Sequence, residues 1–548
     1  MESPSKISVW LIQLSHIIFL VAILPLLVTG LRIAAANEPE LIWLSLWLPQ
    51  GSVHQWHFLS AILFTFSVML YCVALFLRGS LPRLSNSAPS QFLFGLTHYL
   101  GMILLGLSSI TGLSLFTMIY FLPIELVVTL HLYSAIGFFF YLLAHGSMAF
   151  IAMPWRKVLD FLLLLRVRGK VQFLIPILGV LFVGCFAWFF NRPETLVVVE
   201  TQGTMEVDGD ARELIWQQAP KLAVQTYQGF QQPAKGTVVS IQAAHDHQFA
   251  YFYLSWSDKT RSQTHVPLIK SDEGWRVLQT GLGHSDENHY YEDKFAIMLS
   301  ESGQLAGAGT VQLGHKPSAD QPGSVNKRGM HYTTDGSIAD VWHWKSVRTG
   351  MSIGQADDNY FGPLSPSDSE YKRYTGGYQK DRDDCEHLVR WDGQDYQTKP
   401  ECGGFIMNWR LYSDEIVTPI RLPKDSMQLA RLGQIDHNAD TSDFGAWWLD
   451  WEDTIAYHPD NDHYPVGTIL PSVLSLGPFT QGRGDVTAAG HWRDGRWHLE
   501  MKRRLKSDSP YDLTIQSGIF LWVSTFDHSQ TRHSYHIHPV KLTLDGVD

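Results

Sequence analysis

The sequence predicts a membrane α-helical bundle followed by an all-β domain. Residues 1 to about 192 are dominated by Leu, Ile, Phe and Val, and they contain five apolar runs long enough to cross a bilayer. From Val197 onward, short alternating runs are separated by clusters of Gly, Asp, Asn and Pro, a pattern typical of an antiparallel β-sandwich. We therefore expect three parts: a four-helix domain at 1–155, a loop with a fifth span at 156–196, and a sandwich at 197–548.

Each of the five apolar runs is a candidate transmembrane helix. The first run is too long for a cleaved signal peptide and has no small-residue cleavage site after it. The five runs are 9–33, 57–77, 96–116, 127–152 and 171–190.

Basic residues in the connecting loops predict the orientation of the spans. The second loop holds Arg78 and Arg83, and the loop 153–170 carries five further Lys and Arg residues, whereas the first loop has only Arg32. Because cytoplasmic loops carry the excess of Lys and Arg, the N-terminus is predicted to be cytoplasmic. With five spans, the C-terminal domain would lie outside, in the periplasm if the membrane is a bacterial inner membrane.

Charge and cysteines narrow the possible partners and compartment. The net charge of −11 argues against nucleic acid as a partner. Cys385 and Cys402 lie in the polar half, where they can form one disulfide, which would fit an oxidising compartment. Two unrelated free thiols are the alternative. The sequence has no C-x-x-C-H motif, so covalent c-type haem attachment is not expected.

Two histidines of the fourth span share one face of the helix. An ionisable residue inside a membrane is by default a candidate functional residue. His131 and His145 are fourteen residues apart, close to four whole turns, so they point to nearly the same side. They are separated by about 21 Å along the helix axis. This spacing suits two haems, one near each side of the bilayer.

Depth in the membrane pairs these histidines with two others. His57, at the outer start of the second span, shares the level of His131, and His16, near the cytoplasmic start of the first span, shares the level of His145. Each pair can hold one haem iron through two neutral imidazoles. Hydrogen bonding between helices is the competing interpretation and would be favoured for a lone histidine. Four histidines at matched depths favour haem.

The remaining polar features of the bundle have less specific interpretations. His54 is interpreted as interfacial. His98 either approaches a haem propionate or a quinone, or has no special role. Thr29-Gly30 and Thr111-Gly112 offer small residues that would let a flat macrocycle approach the backbone.

On these residues, the segment 8–155 resembles the four-helix di-haem cytochrome b subunit of membrane formate dehydrogenases and nickel-iron hydrogenases. That family places one haem ligand on the first span, one on the second and two, fourteen residues apart, on the fourth. His16, His57, His131 and His145 match this pattern. The resemblance implies two haems b and a quinone site on the cytoplasmic side.

The polar half contains strand-like segments that carry a second resemblance. They are AYFYLSWSD (250–258), YYEDKFAIMLS (290–300), DVWHWKSVR (340–348), RGDVTAAGHWRDGRWHLEMKRRL (483–505) and the segment 526–542. They resemble the haem b-binding domain of the ethylbenzene dehydrogenase family, which includes subunits of dimethyl sulfide dehydrogenase, selenate reductase and chlorate reductase. The implied fold is an immunoglobulin-like sandwich with long insertions, such as 360–480.

This second resemblance implies one haem b with a Met and a Lys as axial ligands. Met330 stands twelve residues before Trp342, where the family Met falls, and His533 takes the place of the family Lys. Met330 and His533 are therefore the expected pair, with His331, His343 and His536 as alternatives. A thioether ligand raises the haem potential.

Trp342 and Trp344 are expected to frame this haem pocket, with plain core packing as the favoured interpretation of their bulk.

Together the two resemblances imply an electron-transfer subunit of a respiratory oxidoreductase. Two membrane haems would pass electrons between the quinone pool and a third haem outside, with quinol oxidation toward the periplasm as the expected direction. A molybdenum-containing catalytic subunit or a periplasmic redox protein would be the partner. Two alternatives remain: a membrane-anchored sensor or ligand-binding module, and a terminal reductase with an open haem position.

Overall fold

The structure is a computed structural model in which the chain divides into two compact units, mainly residues 1–192 and mainly residues 193–548. The residues that it describes are 6–37, 48, 53–78, 89–117, 122, 124–152, 155, 193–203, 205–226, 237–278, 290–303, 337–362, 378–381, 390–391, 396–397, 400–410, 416–425, 447–529, 533–534, 536 and 539–546.

The N-terminal unit contains four long apolar helices. They are α1 (Lys6–Asn37), α2 (Val53–Arg78), α3 (Pro89–Thr117) and α4 (Ile124–Ala152). Each is long and apolar enough to cross a membrane, which confirms the first four predicted spans. The predicted fifth span, 171–190, lies outside the described residues and stays a prediction.

The four helices pack mainly as two hairpins, α1 with α2 and α3 with α4, and α1 also contacts α4. Inside, Ala22, Phe64 and Phe138 form an apolar core. Outside, large apolar side chains such as Phe76 and Ile103 are exposed, at 85% and 66% of their surface. In a soluble protein this exposure would be unfavourable, whereas lipid tails solvate such side chains.

The C-terminal unit is built mainly from β-strands, with one short helix, α5 (Leu214–Gln218). The strands of its largest sheet are β1 (Glu194–Glu200), β2 (Leu222–Gln225), β3 (Val238–His245), β4 (Phe249–Ser257), β7 (Lys294–Ser300), β8 (Ala339–Lys345), β9 (Asp357–Phe361), β10 (Tyr378–Lys380), β19 (Thr487–Arg493), β20 (Arg496–Arg504), β21 (Phe520–Phe526) and β22 (Val540–Leu544). The strand-like segments 250–258, 290–300, 340–348 and 483–505 correspond to β4, β7, β8 and the pair β19 and β20.

Smaller sheets accompany the largest one. Their strands are β5 (Leu268–Ser271), β6 (Gly274–Val277), β11 (Arg390–Trp391), β12 (Tyr396–Gln397), β13 (Phe405–Met407), β14 (Arg421–Pro423), β15 (Trp448–Asp450), β16 (Thr454–Ala456), β17 (Ile469–Leu470) and β18 (Val473–Ser475). They pair as β13-β18-β15, β17-β5-β6, β14-β16 and β11-β12.

The largest sheet is mixed, with the strand order β10-β9-β8-β7-β21-β22-β1-β3-β4-β20-β19, and β2 pairs with β3. β1 runs parallel to both of its neighbours, β22 and β3. The expected immunoglobulin-like, purely antiparallel sandwich is therefore wrong in its pairing. Alternation along a sequence shows that a segment is a strand and which face is buried, but it does not report the direction of the neighbouring strands.

The sheet folds over onto itself around one core. Phe252 on β4 and Trp342 on β8 lie six strands apart in the sheet order, a separation of roughly 29 Å if the sheet were flat. Their ring centroids are 5.6 Å apart. Two layers therefore face each other across a core in which Trp256, Trp344 and Trp497 are almost fully buried.

A second core lies outside this one. Trp275, Leu422 and Trp447 belong to it, together with residues of β5, β13, β17 and β18. Most of these residues come from the insertion predicted at 360–480. The insertion thus adds packed structure of its own rather than only extending loops.

Candidate functional site

The structure brings together the two histidines that were predicted to share the outer level of the membrane domain. His57 on α2 and His131 on α4, named here the outer pair, have ring centroids 6.4 Å apart and planes at 85°. An imidazole nitrogen lies about 2 Å from a bound metal, so two rings on opposite sides of one iron have centroids roughly 6 Å apart. The gap between the outer pair fits one haem iron.

Threonine hydroxyls orient both rings of the outer pair. Thr29 Oγ1 donates to the carbonyl oxygen of Pro25 at 2.6 Å and lies 3.0 Å from His57 Nδ1. Thr111 Oγ1 donates to Leu107 at 2.7 Å and lies 3.0 Å from His131 Nδ1. A hydroxyl has one proton, so each threonine accepts the Nδ1–H of its histidine. In the neutral ring, the lone pair that a metal takes is then on Nε2.

Glycines beside these threonines make room for the rings. A Cβ on Gly30 would lie 3.1 Å from His57 Cε1, and a Cβ on Gly112 would lie 3.0 Å from His131 Cε1. The Thr-Gly pairs were expected to face a macrocycle. In the structure they contact the imidazoles, and the same device occurs in both helix hairpins.

Three histidines from three helices, His16, His98 and His145, form the inner group. His16 is close enough to the other two to interact with them electrostatically. The ring centroids of His98 and His145 are 4.8 Å apart, which is too close for two ligands on opposite sides of one iron. Thr97 Oγ1 lies 2.9 Å from His145 Nδ1, again engaging that nitrogen.

His16 and His145 therefore stay the expected ligand pair of the inner group, and His98 lies beside His145. The sequence left the role of His98 open, and its contact with His145 was not expected. The helix α2 includes His54, whose side chain lies outside the described part of the structure.

In the β-domain, His533 and His343 both contact the ring of Phe526. The ring centroid of Phe526 is 5.1 Å from that of His533 and 5.2 Å from that of His343. Met330, the other expected ligand, and His331, one of the alternatives, lie outside the described residues. The structure thus brings together one expected ligand and one of its alternatives.

His533 is oriented by a hydroxyl and a backbone carbonyl. Ser524 Oγ donates to the carbonyl oxygen of Ser534 at 2.6 Å and lies 2.8 Å from His533 Nδ1. The carbonyl oxygen of Ser534 also lies 2.8 Å from His533 Nδ1. Because a carbonyl oxygen can only accept, His533 Nδ1 carries the proton and the lone pair of the neutral ring is on Nε2. His536 has the opposite tautomer, because its Nδ1 accepts the N–H of Val523 at 3.2 Å. A neutral His536 has its proton on Nε2 and is a poor ligand.

His343 remains a competent alternative. Its Nε2 has no hydrogen-bond partner among the described residues. Burial, followed by the charges of Lys345 and Lys294, holds the pKa of His343 well below its ordinary value. The ring is therefore neutral near physiological pH, which is the form that binds metals.

Both tryptophans expected at the haem pocket are buried, and so is Cys402 of the predicted disulfide. Trp342 and Trp344 are 0% exposed in the main core, where Trp344 contacts Trp256 and Trp497. Core packing thus accounts for their bulk, and a role in framing haem stays a prediction. Cys402 is buried and belongs to a disulfide. Cys385 lies outside the described residues, so its pairing with Cys402 stays a prediction.

Both halves of the chain match known families. Residues 213–537 match the family model for ethylbenzene dehydrogenase. Residues 9–163 match the model for prokaryotic cytochrome b561. These matches confirm the two resemblances drawn from the sequence. No curated protein sequence matches the chain significantly.

Two solved structures align with this chain at 8% identity. One is a candidate carbohydrate-binding protein from Bacteroides uniformis, with a TM-score of 0.24, covering 65% of this chain and 100% of that chain. The other is a carbohydrate-binding module of family 9 from Caldicellulosiruptor kristjanssonii in complex with glucose, with a TM-score of 0.20, covering 64% and 97%. Similarity at these TM-scores carries no argument about this protein.

The membrane histidines, the β-domain and the two family matches support one assignment. The chain belongs to the ethylbenzene dehydrogenase family and carries this domain behind a membrane domain of the prokaryotic cytochrome b561 family, which transfers electrons through haem b.

Proposed function

We propose that this protein relays electrons between the quinone pool and a periplasmic redox partner through two membrane haems b and a third haem b in the β-domain. The outer pair is the observation that carries the proposal. Two imidazoles from different helices are held 6.4 Å apart, each oriented by a threonine. Hydrogen bonding between helices alone does not require this separation or this shared tautomer.

The chain's own residues would perform the ligation, orientation and insulation. His57 and His131 would bind the outer haem, and His16 and His145 would bind the inner one. When bound, haem b takes up and releases single electrons at its iron, and the ligands and their hydrogen bonds tune its potential. The apolar bundle excludes water from these sites.

In the β-domain, Met330 and His533 are the proposed axial ligands. The orientation of His533 by Ser524 supports this assignment. Lys294 adds a cation, because its ammonium lies 4.1 Å from the Phe526 ring that His533 and His343 both contact. A molybdenum-containing catalytic subunit or a periplasmic cytochrome would exchange electrons with this haem.

Removal of either histidine of the outer pair should cause loss of the same haem. We expect the full-length protein to contain about three haems b, and His57→Ala, His131→Ala and the double variant each to lose the same single haem, because one remaining imidazole leaves the iron five-coordinate and weakly held. Haem is counted per chain by the pyridine haemochrome assay.

His98→Ala is the matched control and should keep all haems. If the double variant lost two haems where each single variant lost one, the two histidines would serve different haems.

The threonine hydroxyls should contribute measurably to haem retention. Thr29→Val keeps the side-chain shape but removes the acceptor for His57 Nδ1–H, and we expect haem loss to a scavenger such as apomyoglobin to become roughly 10-fold faster or more. Thr65→Val is the control, because that exposed hydroxyl donates to Ala61 within its own helix. Equal rates of haem loss in both variants would contradict an orienting role for Thr29.

The ligands of the third haem can be separated by three variants. Met330→Ala and His533→Ala should each remove or weaken this haem, whereas His343→Ala should keep it in the low-spin state. The measurement is the haem count together with the absorption spectrum of the oxidised full-length protein. If His343→Ala lost the haem and His533→Ala retained it, His343 would be the ligand in place of His533.

A further inference from the structure

Three acidic side chains meet inside the β-domain, away from the histidines. Asp340 is on β8, Asp358 is on the adjacent β9, and Asp512 follows β20. One carboxylate oxygen from each lies within 4.8 Å of those of the other two. Asp340 and Asp358 are 0% exposed, and the side chain of Asp512 is 2% exposed. We name these three residues the Asp cluster.

One guanidinium neutralises only part of the charge of the Asp cluster. Arg503, which is 0% exposed, places Nη1 at 2.5 Å from Asp340 Oδ2 and at 3.1 Å from Asp512 Oδ2. Three carboxylates against one guanidinium leave two negative charges if all are ionised.

Asp358 points to a missing partner. Neither of its carboxylate oxygens has a hydrogen-bond partner among the described residues, and Asp340 Oδ1 also has none there. A buried carboxylate without a partner is strongly unfavourable, so such groups in proteins are paired or coordinate metals. A proton on Asp358 would remove the charge, but the new O–H would still need an acceptor.

In a second acidic cluster of the same domain, the central carboxylate has hydrogen-bond donors for both of its oxygens. Asp293 lies close to Asp527 and His528. However, Asp293 accepts hydrogen bonds from the backbone N–H groups of Ser262 and His528 and from the Trp497 indole, at 2.8–3.0 Å. Protein donors already occupy its oxygens, and Asp358 has no equivalent set.

We propose that Asp340, Asp358 and Asp512 bind a calcium ion. Calcium takes oxygen ligands at about 2.3–2.6 Å, so oxygens around one ion lie at most about 5 Å apart, as in the Asp cluster. The three oxygens come from carboxylates, without the nitrogen or sulfur ligands that zinc prefers. Arg503 holds Asp340 Oδ2, which leaves Oδ1 for the ion. The ion would tie β8 and β9 to the segment after β20.

The test uses the full-length protein in detergent, with its melting temperature followed by tryptophan fluorescence in EGTA or in excess calcium chloride. At a pH of about 8, where free aspartate is ionised, we expect calcium to raise the melting temperature by about 5 °C. Elemental analysis should find about one calcium ion per chain. Asp358→Asn and Asp512→Asn should each abolish the shift, and either variant suffices if the other does not fold.

Asp494→Asn is the control, since Asp494 is exposed in a turn with φ of 52°, a conformation that Asn also tolerates. It should keep the full calcium shift. The proposal is overturned if the wild-type melting temperature is the same in EGTA and calcium. It is also overturned if Asp358→Asn and Asp512→Asn both retain the shift, which would place calcium elsewhere.

Discussion

The proposed haem sites depend on one interaction: a hydroxyl that accepts the hydrogen bond from the Nδ1–H of a histidine. In an apolar environment, a histidine can bind iron only if it is neutral, if its lone pair is on the correct nitrogen, and if its ring is held in place. Thr29 and Thr111 meet these conditions in the membrane domain, and Ser524 together with the carbonyl oxygen of Ser534 meets them for His533 in the β-domain. In each case the hydroxyl donates its own proton to a backbone carbonyl, which determines the direction of the histidine bond.

The membrane domain was largely predictable from sequence because its constraints are local. Twenty apolar residues define a span, and a fourteen-residue spacing places His131 and His145 on one face. Depth then predicted that His57 meets His131, and the structure brings these rings together. The partners of the rings were not predictable, because Thr29 is 28 residues from His57 in sequence and only the packing of α1 against α2 brings them together.

The β-domain was less predictable because its constraints are non-local. Alternation located strands β4, β7 and β20, but the parallel pairing of β1 depends on which strands arrive beside it. The Asp cluster combines residues from positions 340, 358 and 512, and no spacing in the sequence indicates that they meet. His536 was an open alternative to His533 by sequence, and only its hydrogen bond from Val523 separates the two.

Electron transfer from quinol to the membrane haems is measured most directly by absorption spectroscopy of the haems. A quinol is added without oxygen to the oxidised, full-length protein, and the haem absorption bands are followed before any dithionite is added. If the protein relays electrons from the quinone pool, quinol alone should produce the absorption bands of reduced haem b. A spectrum that quinol leaves unchanged, while dithionite reduces the haems, would contradict a relay that begins at the quinone pool.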